Sequence, residues 1–369
     1  MNGGMELYLH MPFCVRKCAY CDFLSFPTDQ ETQNLYTRRL REDIDAMGKK
    51  YGDIPVDTIF IGGGTPSVPD SALIVGIMEH VRKAFHVAEG AEISMEANPG
   101  TVTREKLTDY RRAGINRLSF GLQSANDREL KLLGRIHTWA EFLESFHLAR
   151  ECGFTNINID LMSALPGQTR ESWKDTLKRV TDLNPEHISA YSLIIEEGTP
   201  FGEKYGSEEG RKLLPDEDSE REMYHETKRF LRECGYERYE ISNYAKPGRE
   251  CRHNIGYWTG VPYLGLGLGA SSYMNGSRFA VSSDMQQYLE EKPGTFTDVE
   301  KLTKKDMEEE FFYVGLRMTA GVSLPEFERR FGVSAKDVYP GLMEMFVEEK
   351  AAVFQGDRFV LTDYGLDVS

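Results

Sequence analysis

Short apolar runs alternate with longer stretches of helical period along most of the chain. The pattern predicts strands near 6–10 (ELYLH), 56–61 (VDTIFI), 92–96 (EISME), 117–121 (RLSFG), 155–161 (TNINIDL) and 187–193 (HISAYSL). Helices fill most of the gaps, for example 31–47, 70–85, 139–152 and 171–183. Short apolar strands of this kind suit a sheet covered by helices on its outer face. A local pattern marks several helix ends: Ala113-Gly114-Ile115, Cys152-Gly153-Phe154 and Cys234-Gly235-Tyr236 each follow a charge-rich stretch. There Gly ends the helix in a left-handed turn and an apolar residue leads into the next strand. The three glycines are spaced by roughly one and then two strand–helix units, the repeat that builds barrels.

Polar, Gly-rich sequences follow the strands rather than precede them. These are the cysteine loop after the first strand, GGGTPS at 62–67, Glu96 with Asn98-Pro99, Gln123-Ser124, and Asp160 with LPGQT at 165–169. In parallel α/β architectures the site lies at the carboxyl ends of the strands, so five separated segments are expected to meet at one mouth. Beyond about residue 300 the pattern changes. Helices over 304–319, 325–331 and 335–349 and a hairpin, AAVFQGDRFVLT, predict a small winged-helix-like domain.

Composition narrows the function classes. The formal charge of −15 disfavours nucleic acid as a partner, and residues 304–369 hold 8 Lys/Arg against 13 Asp/Glu. The C-terminal domain therefore reads as a structural cap or protein contact rather than a DNA reader. No apolar run approaches a membrane span, and the N-terminal MNGGMELYLHMPF lacks the pattern of a signal peptide, so a soluble, cytoplasmic protein is expected. Three of the six cysteines fall within eight residues, which in a reducing compartment points to metal rather than disulfide. Cys152 and Cys234 sit inside the helix-end pattern and read as small hydrophobes.

Cys14-x3-Cys18-x2-Cys21 puts three thiolates on one tight loop, close enough for three corners of a 4Fe-4S cubane. With no fourth cysteine nearby, one iron is left for an exogenous ligand, and the amine and carboxylate of S-adenosylmethionine (SAM) can chelate it. The alternative is a zinc site of three cysteines with His10. The companion motifs match the needs of the larger ligand. Gly62, Gly63 and Gly64 let the backbone approach an amino-acid moiety and expose N–H or C=O groups, and Thr65 adds a hydroxyl. Glu96 can accept from ribose hydroxyls or the amine; Gln123, Arg135 and Asp160 supply an amide, a carboxylate clamp and a further acceptor.

YLHMPFCVRKCAYCDF, GGGTPS, SMEANPG, GINRLSFGLQS, LGRIHT, NIDLMSALPGQT, HISAYSLIIEEGTPF and YEISNYAKPGRECRHNIGYW resemble the radical SAM proteins. They are most similar to the branch holding oxygen-independent coproporphyrinogen III dehydrogenase and the HemW-type heme chaperones. The resemblance implies a partial (β/α)6 TIM-like radical SAM barrel (1–240), a connecting segment with an HNxxYW motif (241–300), and a C-terminal winged-helix-like α+β domain (301–369). It also implies that Cys14, Cys18 and Cys21 ligate the cluster. Tyr8, Tyr20, Gly63, Gly64, Thr65, Glu96, Gln123, Arg135 and Asp160 would contact SAM, with Tyr20 packing over cluster or adenine.

Two departures separate the branches. The dehydrogenase carries a further cysteine where this chain has Phe23, and a longer segment before its cluster loop than the 13 residues preceding Cys14. Both favour the chaperone. CRHNIGYW (251–258) matches the HNxxYW motif associated with heme. There His253 is expected as an axial ligand, Tyr257 and Trp258 as aromatic surface, and Cys251 as a second or transient ligand. The preferred expectation is a heme chaperone binding heme, a 4Fe-4S cluster and SAM, and passing heme to an acceptor hemoprotein, a membrane respiratory enzyme by resemblance. The alternative is radical oxidative decarboxylation of the propionates of coproporphyrinogen III in porphyrin biosynthesis. Monomer and homodimer both remain open.

Overall fold

A computed structural model describes residues 3–368 of the 369. Six strands lie in sequence order and pair in parallel: β1 (Met5–Met11), β2 (Val56–Gly63), β3 (Val87–Ala97), β4 (Arg117–Gln123), β5 (Ile157–Ser163) and β6 (His187–Ser192). Helices Gln30–Tyr51, Ser71–Ala84, Arg104–Arg112, Trp139–Glu151 and Arg170–Thr181 connect them. This is the expected partial (β/α)6 barrel.

The strands differ from the sequence reading in one respect. They alternate: Leu7, Leu9, Ile59, Ile61, Ile93, Leu118, Phe120, Ile157 and Ile159 join one large apolar core, whereas Glu6, Thr58, Glu92, Ser94, Arg117, Ser119 and Asn158 form a second, buried polar set. Successive side chains of a strand point to opposite faces, so the second set lines the lumen. Registers stack it in layers: Glu6 beside Thr58 beside Glu92, and Ser119 beside Asn158 beside His187. Helix ends behave as expected, with Gly114, Gly153 and Gly235 all near φ +85° to +89°.

Residues 241–300 contribute to both ends of the same sheet. β8 (Asn243–Ala245) runs antiparallel beside β6, and β7 (Glu237–Arg238), just before this segment, pairs antiparallel with the far side of β8. β9 (Tyr263–Leu266) pairs in parallel with β1, and β10 (Ser271–Met274), β11 (Ser277–Ala280) and β12 (Thr297–Lys301) extend that side antiparallel. Between them a short helix, Arg252–Thr259, stands at the amino-terminal ends of the strands and plugs the barrel floor.

The C-terminal unit has a second core of Val322, Phe327, Ala335, Met343, Ala352 and Phe359. Helices Lys304–Gly315, Leu324–Phe331, Ala335–Val338 and Leu342–Glu348 pack with β13 (Val322–Ser323), β14 (Ala352–Gln355) and β15 (Arg358–Leu361) in a winged-helix-like arrangement. The helix expected over 335–349 is broken at Pro340-Gly341: proline lacks the amide donor, and Gly341 sits at φ +75°. This unit covers the floor helix. The Arg317 guanidinium lies 4.6 Å from the Trp258 ring centre, and Arg330 donates to the Thr259 carbonyl at 3.0 Å. Among the described residues no helix is long and apolar enough to cross a membrane.

Candidate functional site

The cysteine loop leaves β1 after Met11 and closes on itself through the Phe13–Phe26 bridge, with Cys14 N–H donating to Phe26 O at 3.1 Å. It is pinned to the barrel rim by Ala19 N–H to Leu133 O (3.0 Å), Phe201 N–H to Ala19 O (2.9 Å) and Arg16 to Gly134 O (2.6 Å). The three thiols are free and half-buried. Burial, and then the neighbouring Cys18 and Cys14, push the Cys21 thiol up.

The GGGT segment closes against this loop. Gly64 N–H donates to Met11 O (2.8 Å), Thr65 N–H to Phe13 O (2.7 Å), and Gly63 N–H to Glu96 Oε2 (3.0 Å). Its amides are therefore engaged within the protein, and what it can turn toward a ligand is carbonyl oxygen and the Thr65 hydroxyl. That hydroxyl lies 3.6 Å from Cys14 Sγ and accepts from Asn98 Nδ2 at 2.6 Å. Asn98 Oδ1 in turn accepts from Arg135 Nη2 at 2.6 Å, and Arg135 Nη1 lies 3.5 Å from Cys18 Sγ. Arg135 also donates to the Gly121 carbonyl, while its Nε is buried without a partner.

Two carboxyls face this set. Glu96 is pushed up to about 8 by burial and then by Asp160, and among the described residues its hydrogen bond is from Gly63. Burial also raises Asp160, against hydrogen bonds from Asn158 (2.7 Å) and Ser119 (3.3 Å). Gln123 sits at φ +74°, in the left-handed region, with Oε1 accepting from Tyr191 at 3.0 Å. Tyr20 packs on Phe201, ring centres 6.5 Å apart, beside Leu133, Met162 and Leu165.

The fold thus gathers Cys14, Cys18, Cys21, Gly63, Gly64, Thr65, Glu96, Gln123, Arg135 and Asp160 at one mouth. Tyr8 lies deeper, stacked on Phe60 with its hydroxyl 3.0 Å from His10 Nδ1. His10 Nε2 bonds Leu24 O at 2.9 Å, so both ring nitrogens are occupied and the zinc set with His10 is not assembled. Among the described residues no three His, Cys, Asp or Glu side chains converge as ligands of a single ion. A cubane binds each thiolate to a different iron and requires no such convergence. Asn98, which ties Thr65 to Arg135, escaped the residue-level reading; its signal is the turn two positions after Glu96.

His253 is not at the mouth. It is 1% exposed in the floor helix, with Nδ1 2.7 Å from Thr58 Oγ1 and Nε2 2.9 Å from the Tyr257 hydroxyl. Its ring stacks on Phe60 at 5.3 Å, and burial, followed by Arg117, drives it down to about 3, so it is a neutral imidazole with both nitrogens engaged. Cys251 is equally buried, beside Glu92. In this conformation both ring nitrogens of His253 are engaged and both side chains are shut away from the surface. The helix start has no capping side chain of its own, and Glu92 of β3 accepts from the amides of Arg252 (3.2 Å) and His253 (3.3 Å) instead.

Residues 8–180 match the family model of the Radical SAM superfamily, and residues 302–368 that of the HemN C-terminal domain. The chain is 36% identical over 346 residues to the heme chaperone HemW of Bacillus subtilis, covering 93% of this chain and 91% of that protein. The chain belongs to the HemW family of radical SAM proteins. A mitochondrial protein from Danio rerio, named radical S-adenosyl methionine domain-containing protein 1, is 31% identical over 382 residues, covering 99% of this chain and 83% of that one. Coproporphyrinogen III oxidase (HemN) from Escherichia coli shares the fold, with a TM-score of 0.85 at 24% identity, covering 100% of this chain and 89% of that chain. Membership of this superfamily implies a 4Fe-4S cluster and SAM. The donor chemistry at the mouth fits both: three free thiols on one pinned loop, a buried carboxyl without a cation, and a guanidinium with a spare donor.

Proposed function

We propose that this chain is a heme chaperone that carries a 4Fe-4S cluster and SAM, and that delivers heme to an acceptor hemoprotein. The observation that carries it is likeness over 93% of the chain to a protein named heme chaperone HemW. Cys14, Cys18 and Cys21 would hold three irons. Glu96 would receive the amine of SAM, which explains a buried carboxyl otherwise lacking a positive partner. Arg135, steered by Asn98, would meet the carboxylate, with Thr65 and the carbonyls of Gly63 and Gly64 alongside. Gln123 and Asp160 would take the ribose hydroxyls, and Tyr20 would cover the adenine; Tyr8 would support them from below through His10. When bound, the pair supplies one-electron chemistry at the sulfonium, and the barrel orients it and excludes water.

Heme ligation by His253 requires the floor helix to leave the barrel, breaking its bonds to Thr58, Glu92 and the Arg330 clamp. In the closed fold heme would have to be held by other residues. The test is anaerobic reconstitution with iron and sulfide, followed by hemin titration read at the Soret band and by an assay for porphyrinogen turnover. We expect about four irons per chain, a Soret shift, no turnover, and hemin affinity in His253→Ala within about twofold of wild type. Protoporphyrinogen formation would favour the oxidase reading. Loss of the Soret shift in a folded His253→Ala would show that the floor opens.

A further inference from the structure

In the C-terminal unit, the helix Leu342–Glu348 follows Leu324–Phe331 in the position that winged-helix and helix-turn-helix folds give to their reading helix. Met343 and Val347 turn inward onto the local core. Leu342, Met345 and Phe346, at helical spacings of three and four, turn outward at 42%, 42% and 36% exposure. Glu344, on the opposite flank of the same helix, lies 3.4 Å from Lys336 and leaves this patch apolar. Three large apolar side chains on one face of a seven-residue helix are more than scattered surface residues.

Charge decides what can cover them. Residues 304–369 hold 8 Lys/Arg against 13 Asp/Glu. Most of the cations are already engaged: Lys304 with Glu308, Lys305 with Glu309, Arg329 and Arg330 with Glu326, Lys336 with Glu344, and Arg358 with the carbonyls of Ala320 and Gly321. Glu348 and Glu349 are exposed and form no ion pair among the described residues, against the single exposed Lys350 that follows them. Phosphate backbones and anionic lipid surfaces are repelled by such a face. A second copy would set glutamates against glutamates.

We propose that this face docks a basic amphipathic helix of a partner protein, apolar side chains on Leu342, Met345 and Phe346, and Lys/Arg toward Glu348 and Glu349. This is the helix-in-groove mode, with apolar anchors giving affinity and charge giving selection. It stands apart from the heme reading, because neither the cluster nor heme takes part.

The probe is a fluorescent Leu/Lys amphipathic peptide, titrated into the full-length chain by anisotropy. Controls are a Leu/Glu analogue and a scrambled Leu/Lys peptide of equal composition. The Leu/Lys helix is expected to bind and the controls not. Leu342→Ser with Phe346→Ser should weaken binding at least about tenfold, a hot-spot-sized loss. Glu348→Gln with Glu349→Gln should flatten the salt dependence. All four positions are exposed, and unchanged thermal melts establish folding. Equal binding of the scrambled peptide, or affinity indifferent to the serine changes, overturns the proposal. So does a dimer in sedimentation that the serine changes abolish, or duplex DNA that competes for the patch.

Discussion

A methyl group on Gly64 would meet Phe13 O, Met11 O and Phe13 N at 2.7 to 2.9 Å, all of them backbone atoms that cannot swing aside. The residue is glycine because the cysteine loop and the end of β2 touch there. Gly64→Ala is expected to lose about 1–3 kcal/mol in urea unfolding, the range for overpacking, and to bind fewer than four irons per chain on reconstitution. Unchanged stability and iron content would refute that account of the loop. His253 belongs to the same scale. Its removal leaves the Thr58 and Tyr257 hydroxyls and a stacked Phe60 without their partner, so His253→Ala should cost about 2–4 kcal/mol. The sequence alone could not settle this residue. Its neighbours come from positions 6, 58 and 92, and only long-range pairing of strands brings them to one imidazole.

Elements meet at the floor through polar contacts beside a small apolar cluster of Cys251, Ile255 and Phe60. Glu6 of β1 is 2% exposed and pushed up to about 9, first by burial and then, among charges, by Glu92 and Asp57. A carboxyl whose folded value lies above its unfolded one binds more protons in the native state. Its contribution to stability is present at low pH and is lost as pH rises from about 4.5 to about 9. Glu6→Gln removes that proton, so its stability relative to wild type should climb across that window in urea melts. A constant difference would mean Glu6 is ionised or solvated. The floor helix also approaches β1 with no room to spare: a Cβ on Gly256 would fall 1.9 Å from Glu6 Oε1. Gly256→Ala should lift the helix and accelerate amide exchange at 252–257, and Glu6→Ala should restore much of the protection. Alternation at the strand level was only half legible. The apolar members of each strand announced the helix-covered face, but Thr58, Glu92, Arg117 and Asn158 acquire a common lumen only after the strands curve. The grouping of the three thiols was legible, because they are local in sequence.

At the scale of the whole molecule, the chain builds its barrel from the first half and then returns to finish it. The C-terminal unit clamps the floor: Thr319 reaches the carbonyls of Tyr239 and Arg238, both at 3.0 Å, and Arg330 reaches Thr259. Hydrogen exchange should find the floor helix as slow as β2 and β3, a test of whether clamp and barrel unfold together. Fast exchange confined to 252–259 would separate them. The chain order of the barrel strands followed from the repeating strand–helix pattern. The plugging of the floor did not, since nothing local in CRHNIGYW states which cavity it fills.

The pairing of β9 with β1 has a further consequence for synthesis. MELYLHM, five of its seven residues apolar, is made long before Tyr263–Leu266, its partner on that side. For most of translation it presents a bare, sticky strand margin to whatever is nearby. Nascent chains released before that point should collect in inclusion bodies or on holdases, and those that include β9 should not. The last third of the polypeptide thus acts on the first seven residues of its fold as a built-in chaperone.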